Sequence, residues 1–194
     1  MRNIFLLGDS IRCGAPTSPG YGVYVKQMLE GKANVYAPKD NCRFGAYTLR
    51  HLHNWIDDKI DCESIDTVHW NNGLWEVAHI DGQEEPLFPI ELYTYYLERT
   101  YKSLRKNFPN AKIIFALSTP VKEYPKNRNL IRYNDEIIAY NNAAKALMEK
   151  LGVEINDLYT VAYNMGEEKH SDFVHFNEEG SRILAEAIVK KIGF

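Results

Sequence analysis

Short apolar runs alternate along the chain with longer stretches in which apolar residues recur every three or four positions. The short runs are rich in Ile, Val, Phe and Leu and predict five strands, over residues 2–7, 33–37, 65–70, 111–117 and 153–158. The longer stretches predict five helices, with apolar positions running from Val23 to Leu29, Tyr47 to Ile60, Leu92 to Phe108, Ile137 to Leu151 and Ile183 to Ile188. This alternation predicts an α/β fold, in which helices cover both faces of a parallel sheet.

Length and composition are those of a small enzyme. The 194 residues predict a single domain over 1–194, with 45% hydrophobic and 25% charged residues. The net charge of -3 favours neither nucleic acid nor an anionic membrane as a partner. No apolar stretch reaches the length of a membrane span, and the N-terminal run is too short for a secretory signal. The three cysteines are odd in number and show no C-x-x-C spacing, which predicts free thiols. Together these features predict a cytoplasmic protein.

The first candidate for chemistry is a serine directly after the first predicted strand. Gly8-Asp9-Ser10 follows the apolar run Ile4-Phe5-Leu6-Leu7. A serine at the end of a buried parallel strand points into the crevice where open α/β sheets bind their ligands. The alternative is a plain turn, because Gly, Asp and Ser all favour turns.

The second candidate lies near the C-terminus. Asp172-Phe173-Val174-His175 precedes Asn177, which is a suitable N-cap for the last predicted helix. A spacing of three residues lets the Asp172 carboxylate reach His175 Nδ1, leaving Nε2 free to take a proton from a serine. The alternative is a polar loop with no catalytic role. The other histidines match no strong metal-binding pattern, so we predict neither a metal nor a cofactor.

These segments resemble conserved blocks of the SGNH (GDSL) hydrolase superfamily. Gly8-Asp9-Ser10 resembles the first block and Asp172-Phe173-Val174-His175 the last. Gly45 is similar to the glycine of the second block. The third block is matched by His69-Trp70-Asn71-Asn72, with His69 in place of the family's glycine. The resemblance implies a three-layer α/β/α sandwich with a five-stranded parallel sheet, flavodoxin-like in its arrangement.

The resemblance also implies roles for individual residues. Ser10 would be the nucleophile, His175 the general base and Asp172 the residue that orients His175. The oxyanion of the tetrahedral intermediate would be bound by the backbone N–H groups of Ser10 and Gly45 and by the side-chain amide of Asn71. Asn72 is the alternative amide donor, and we favour Asn71 because Gly73-Leu74 follows it as in the family pattern.

The substrate is less well defined by the sequence. His69, Trp70 and Trp75 surround Asn71 and are candidate substrate contacts, although both tryptophans could equally belong to the core. The stretch from Asn71 to Glu76 resembles a branch of the superfamily that includes carbohydrate esterases. This resemblance implies that the small-molecule partner is a small ester, in particular an acetylated carbohydrate. The alternatives are a lipolytic esterase or thioesterase on longer acyl chains and, in another class, a non-catalytic flavodoxin-like ligand-binding domain. Homo-oligomer formation stays open.

One long predicted connection runs from Ser118 to Arg132. It carries Glu123 and four basic residues, Lys122, Lys126, Arg128 and Arg132. Connections of this length are often lids or binding loops. A solvated basic loop is the simpler interpretation.

Overall fold

The computed structural model describes residues 1–56, 60–122 and 129–194. Seven strands lie in these ranges: β1 Arg2–Leu7, β2 Ala33–Tyr36, β3 Thr67–Trp70, β4 His79–Ile80, β5 Lys112–Ala116, β6 Leu130–Ile131 and β7 Glu154–Asn156. Five of them form a parallel sheet in the order β2-β1-β3-β5-β7. This sheet is made from the five predicted strands, so the predicted α/β fold is confirmed. β4 and β6 form a separate antiparallel pair that was not predicted.

Helices cover both faces of the parallel sheet and give the predicted three layers. They are α1 Ser10–Cys13, α2 Tyr21–Met28, α3 Gly45–Trp55, α4 Ile90–Asn107, α5 Asn134–Lys150, α6 Leu158–Met165 and α7 Glu178–Ile192. Short 3-10 helices lie at Cys62–Ser64 and Glu167–Lys169. α2 and α6 pack against α7, whereas α3 and α5 pack against α4.

Two predicted boundaries are wrong for local reasons. The predicted helix from Tyr47 to Ile60 ends at Trp55 in the structure, and residues 57–59 lie outside the described residues. The predicted strand 153–158 ends at Asn156 because Asp157 caps the unpredicted helix α6, its side chain accepting a hydrogen bond from the N–H of Thr160 at 2.9 Å.

The core explains why the central strands are continuous apolar runs. Ile4 to Leu7 of β1 are fully buried, and all four residues of β3 are buried. A parallel strand with helices on both faces has no solvent-facing side, so its sequence does not alternate. No helix within the described ranges has the length and hydropathy needed to cross a bilayer.

The strand order places the segments that follow β1 and β3 side by side, at the carboxyl ends of the strands. β1 is followed in sequence by β2 on one side, whereas β3 pairs with it on the other. Such a reversal opens a crevice beyond the carboxyl ends of the strands, where open α/β sheets bind ligands. Leu7 is paired with Trp70, so Gly8-Asp9-Ser10 and Asn71 leave β1 and β3 next to each other.

Candidate active site

A tight turn after β1 presents Ser10. The Asp9 side chain caps α1 by accepting a hydrogen bond of 2.9 Å from the N–H of Ile11, and Ser10 is the first residue of that helix. Gly8 is required by close packing, because a Cβ atom there would lie 2.2 Å from Asn71 Oδ1. The turn therefore places the serine hydroxyl at the mouth of the crevice and brings Asn71 close behind it.

Arg12 holds this turn against the segment that follows β2. Its buried guanidinium donates to the carbonyl oxygens of Gly8 at 3.3 Å, Pro38 at 2.7 Å and Asp40 at 2.5 Å. All three guanidinium nitrogens thus have backbone acceptors. The sequence analysis missed this residue, whose hydrogen bonds to backbone acceptors span up to 28 positions of the chain.

The three residues predicted to be catalytic lie within hydrogen-bonding distance of one another. His175 Nε2 lies 2.7 Å from Ser10 Oγ, and His175 Nδ1 lies 2.8 Å from Asp172 Oδ2. Asp172 Oδ1 accepts the backbone N–H groups of Val174 and His175, both at 2.8 Å. This turn fixes the carboxylate relative to the ring, so that a proton on Nδ1 faces Asp172 and Nε2 can accept one from Ser10.

Thr17 is a further partner of the carboxylate that the sequence did not reveal. Its Oγ1 donates to Asp172 Oδ2 at 2.6 Å. Burial alone would raise the pKa of Asp172. The hydrogen bonds from the His175 N–H, the Thr17 hydroxyl, the Val174 N–H and the His175 side chain together outweigh burial and lower this pKa below its usual range. Asp172 is therefore an anion under all ordinary conditions.

The structure separates the two adjacent asparagines clearly. Asn72 is fully buried; its Nδ2 donates to Arg43 O at 2.8 Å and Thr48 Oγ1 at 3.0 Å, and its Oδ1 accepts from Trp70 Nε1 at 2.6 Å. Asn71 lies beside the nucleophile turn, and its Oδ1 accepts from Tyr21 Oη at 2.9 Å. Because the Asn72 amide is already used, Asn71 remains the better candidate for an oxyanion donor.

Gly45 does not occupy the position predicted for it. Its N–H donates to Glu76 Oε1 at 2.7 Å, so it is not available to an oxyanion in this structure. Burial raises the pKa of Glu76 to about 8, against the hydrogen bond from Gly45 that lowers it. The Ser10 N–H stays a candidate donor, since Ser10 begins α1 and the first N–H groups of a helix have no acceptor within the helix.

His69 and Trp70 were wrongly predicted as substrate contacts. Both are fully buried in β3, where His69 Nε2 faces Asn156 Nδ2 at 3.1 Å and Trp70 packs against Phe115 with ring centroids 4.8 Å apart. Burial lowers the pKa of His69 to about 3, so its ring is neutral at physiological pH. Both residues lie within β3, which ends at Trp70, and their side chains are buried in the layers beside the sheet rather than exposed in the crevice.

Trp75 fits its predicted position beside the site. It lines a cavity of about 540 Å³ together with Ser10, Asp172 and His175. The remaining lining residues are Lys122, Leu130, Arg132, Ser171, Phe173 and Val174. The long predicted connection thus contributes Lys122 and Arg132 to the cavity, whereas Glu123, Lys126 and Arg128 lie outside the described residues.

The described residues contain no group of three His, Cys, Asp or Glu side chains that could hold a metal ion. Cys13, Cys42 and Cys62, all within the described ranges, are free thiols.

Comparisons with known proteins agree with this geometry. No protein-family model matches the chain. A GDSL esterase/lipase of Arabidopsis thaliana is 27% identical over 212 residues, covering 97% of this chain and 78% of that protein. The lipase/acylhydrolase from Enterococcus faecalis has a similar fold, with a TM-score of 0.73, 20% identity and coverage of 99% and 95% of the two chains. An acetyl xylan esterase is likewise similar, with a TM-score of 0.73, 16% identity and coverage of 98% and 99%.

These findings confirm the resemblance on which the sequence analysis relied. The chain is similar in sequence to a GDSL esterase/lipase, and its α/β fold is that of solved GDSL-like lipases and acylhydrolases. It belongs to the ester hydrolases, and the alternative of a non-catalytic flavodoxin-like binding domain is set aside.

Proposed function

We propose that the protein is a serine esterase that removes small acyl groups, in particular acetyl groups, from carbohydrate esters. The observation that carries this proposal is the continuous arrangement of Ser10 Oγ, His175 and Asp172, with separations of 2.7 Å and 2.8 Å, at the wall of a cavity. A nucleophile, a base and an orienting acid in hydrogen-bonding reach are what acyl transfer to a serine requires.

The reaction proceeds in two halves. Ser10 Oγ bonds to the ester carbonyl carbon while its proton passes to His175 Nε2. The tetrahedral intermediate then collapses, the bond to the alcohol oxygen breaks, and His175 returns the proton to the leaving alcohol. Water attacks the acyl-enzyme with His175 again as base, and the carboxylic acid leaves as Ser10 regains its proton. Asp172, an anion held by four hydrogen bonds, favours the protonated imidazole that forms in each half.

The oxyanion of each intermediate is bound by the Ser10 N–H and the Asn71 amide in this proposal. Asn71 lies directly behind the Gly8 turn, within 2.2 Å of where a Gly8 side chain would begin. Such preorganised donors act most strongly on the charge that develops in the transition state. Since the Gly45 N–H is bound to Glu76, the proposed oxyanion hole has two donors rather than three.

The size and lining of the cavity support a small substrate. A volume of about 540 Å³ suits a compact ligand. Trp75 gives the wall an aromatic face against which a sugar ring can pack. The acetyl xylan esterase of similar fold provides a parallel for such a substrate.

A second candidate is a lipolytic esterase or thioesterase acting on longer acyl chains. Leu130, Phe173 and Val174 line the cavity and make part of its wall apolar. Apolar surface favours binding of each additional methylene group, so acyl length distinguishes the two candidates.

The test is hydrolysis of p-nitrophenyl esters of increasing acyl length, together with acetylated xylan and acetylated monosaccharides. We expect kcat/KM to be highest for acetyl and to fall as the chain lengthens; a rise with length would favour the second candidate.

Ser10→Ala should lower kcat by about a thousandfold or more without loss of the fold. Ser103→Ala, on α4, is the matched control and should retain wild-type turnover. Near-normal turnover by folded Ser10→Ala protein would falsify the assignment of the nucleophile.

A further inference from the structure

Two cations line the cavity beside the nucleophile, although the chain as a whole has a net charge of -3. They are Lys122 and Arg132. Among residues 1–56, 60–122 and 129–194, neither has a carboxylate within ion-pairing distance. The net charge of the chain does not explain why two cations line this cavity.

Arg132 differs in its hydrogen bonding from the other buried arginine near the site. Arg12 is 3% exposed, and each of its guanidinium nitrogens donates to a backbone carbonyl. Arg132 is 5% exposed, yet within the described ranges only its Nε has an acceptor, the carbonyl oxygen of Leu74. Because Arg132 lines the cavity, its two Nη groups are the donors that it can offer to a ligand with oxygen acceptors.

The acids around Arg132 do not supply those acceptors. The oxygens of Asp172 are already bound by Thr17, Val174 and His175. The second carboxylate oxygens of Asp9 and Glu76 are buried without a hydrogen-bond partner among the described residues. None of these carboxyl oxygens therefore accepts a hydrogen bond from Arg132 within the described residues. Burial lowers the pKa of Arg132 to about 10, which leaves it a cation at neutral pH.

Lys122 and a third cation, Arg43, lie at or beside the cavity wall. Lys122 is half-buried, and its backbone N–H donates to Phe173 O at 3.0 Å, which anchors it to the segment that carries Asp172 and His175. The guanidinium carbon of Arg43 lies 4.7 Å from the centre of the Tyr47 ring and 6.0 Å from that of Trp75, which lines the cavity.

We propose that the substrate carries an anionic oxyacid group, a carboxylate or a phosphate, which Arg132 binds through its Nη groups with help from Lys122 while Ser10 attacks the ester. This inference rests on the proposed esterase function and narrows its substrate to esters of acidic compounds, such as acetylated sugar acids or sugar phosphates. An arginine fork matches two oxygens of either group and binds a charged acceptor about twice as strongly as a neutral one.

The experiment compares three acetyl esters that differ only in charge. They are acetylated methyl glucoside, its uronic-acid counterpart and its phosphorylated counterpart, with the acetyl group on the same hydroxyl. We expect kcat/KM for at least one anionic ester to exceed that of the neutral ester by about tenfold or more. The arm with the higher value identifies the carboxylate or the phosphate as the natural group. The preference should also weaken as ionic strength rises, because salt screens the attraction.

Variants then assign the preference to residues. Arg132→Gln should reduce the anionic-to-neutral ratio by about tenfold, and Arg132→Lys should restore part of it. Lys122→Gln should reduce the ratio less. Because Lys122 is only half-buried, this variant keeps the inference testable if Arg132→Gln folds poorly. Arg182→Gln removes a surface charge paired with Glu178 on α7 and should leave the ratio unchanged. The ratio is insensitive to partial unfolding, which lowers both rates equally.

The outcomes separate this inference from the function on which it rests. Equal hydrolysis of neutral and anionic esters, or an unchanged ratio in both Arg132→Gln and Lys122→Gln, would overturn the anionic substrate and leave the esterase intact. Failure to hydrolyse any ester, p-nitrophenyl acetate included, would instead overturn the esterase proposal together with this inference.

Discussion

Thr17 Oγ1 and His175 Nδ1 both donate to the same oxygen of Asp172, Oδ2, at 2.6 Å and 2.8 Å. The hydroxyl thus shares this carboxylate oxygen with the imidazole. It also contributes to the low pKa of Asp172, together with the backbone N–H groups of His175 and Val174. Thr17 is not itself a lining residue of the cavity and acts through Asp172, so it is a positioning residue.

Thr17→Val should lower kcat by about tenfold with little change in KM, because a hydrogen bond to a charged group is worth roughly 1.5–3 kcal/mol. The pKa of Asp172 should rise when this donor is lost. Thr17→Ser keeps the hydroxyl and should retain most of the activity. Steady-state kinetics on a p-nitrophenyl ester, with thermal unfolding as a check, measure both effects. If Thr17→Val and Thr17→Ser behave alike, the hydroxyl has no part in holding Asp172.

Asn71 and Asn72 should differ in what they lose on substitution. Asn71→Ala should lower kcat by about a hundredfold or more with a smaller change in KM, since an oxyanion donor acts mainly in the transition state. Asn72→Ala should instead reduce stability, because it leaves the Arg43 carbonyl and Trp70 Nε1 without their partner. Kinetics and denaturant unfolding of both variants are needed. A larger kcat defect in folded Asn72→Ala protein would move the oxyanion assignment by one residue.

The fold was predictable from the sequence because each central strand is buried on both faces. The apolar runs at 4–7 and 113–117, within the predicted strands 2–7 and 111–117, are therefore uninterrupted and easily recognised. The catalytic candidates were predictable because Ser10 directly follows the first predicted strand, whereas Asp172 and His175 lie just before the last predicted helix. Both segments resemble blocks of the SGNH hydrolases. The antiparallel pair β4 and β6 was not, because two-residue strands leave no periodic signal.

The errors within the site share one physical cause, which is that side-chain partners depend on tertiary contacts. Trp70 and Trp75 both flank Asn71 in sequence, but β3 ends at Trp70, so only Trp75 lies beyond the sheet and reaches the cavity. Nothing local to Gly45 shows that Glu76, 31 residues away, takes its N–H. Thr17 and Asp172 are 155 residues apart, and no sequence spacing indicates their contact.

Glu76 predicts a loss of stability as the pH rises from about 4.5 to about 8. Its pKa is raised by burial from 4.5 to about 8, so the folded protein keeps a proton that the unfolded chain has already released. This stabilising contribution is complete below pH 4.5 and is lost as the pH rises through about 8. The slope approaches about 1.4 kcal/mol per pH unit.

Glu76→Gln imitates the protonated acid and can still accept the Gly45 N–H, so its free energy of unfolding should not show this decrease. Urea unfolding of both proteins at several pH values measures the difference. Glu149→Gln, on the exposed side of α5, should follow the wild type. Parallel curves for wild type and Glu76→Gln would show that Glu76 is ionised in the folded protein.

His69 predicts the opposite dependence on the acid side. Burial lowers its pKa from 6.5 to about 3, so between these values the unfolded chain binds a proton that the folded protein does not. Its contribution to stability is complete above pH 6.5 and is lost as the pH falls through about 3.

His69→Gln removes the titrating ring and leaves an oxygen that can accept from Asn156, in place of the ring nitrogen now 3.1 Å from it. The difference in unfolding free energy between wild type and His69→Gln should therefore change by up to about 1.4 kcal/mol per pH unit below neutrality, in favour of the variant. His53→Gln, on an exposed part of α3, is the control for loss of a histidine and should follow the wild type. A constant difference between wild type and His69→Gln from neutral to acid pH would mean that the His69 ring takes up its proton in the folded protein as readily as in the unfolded chain.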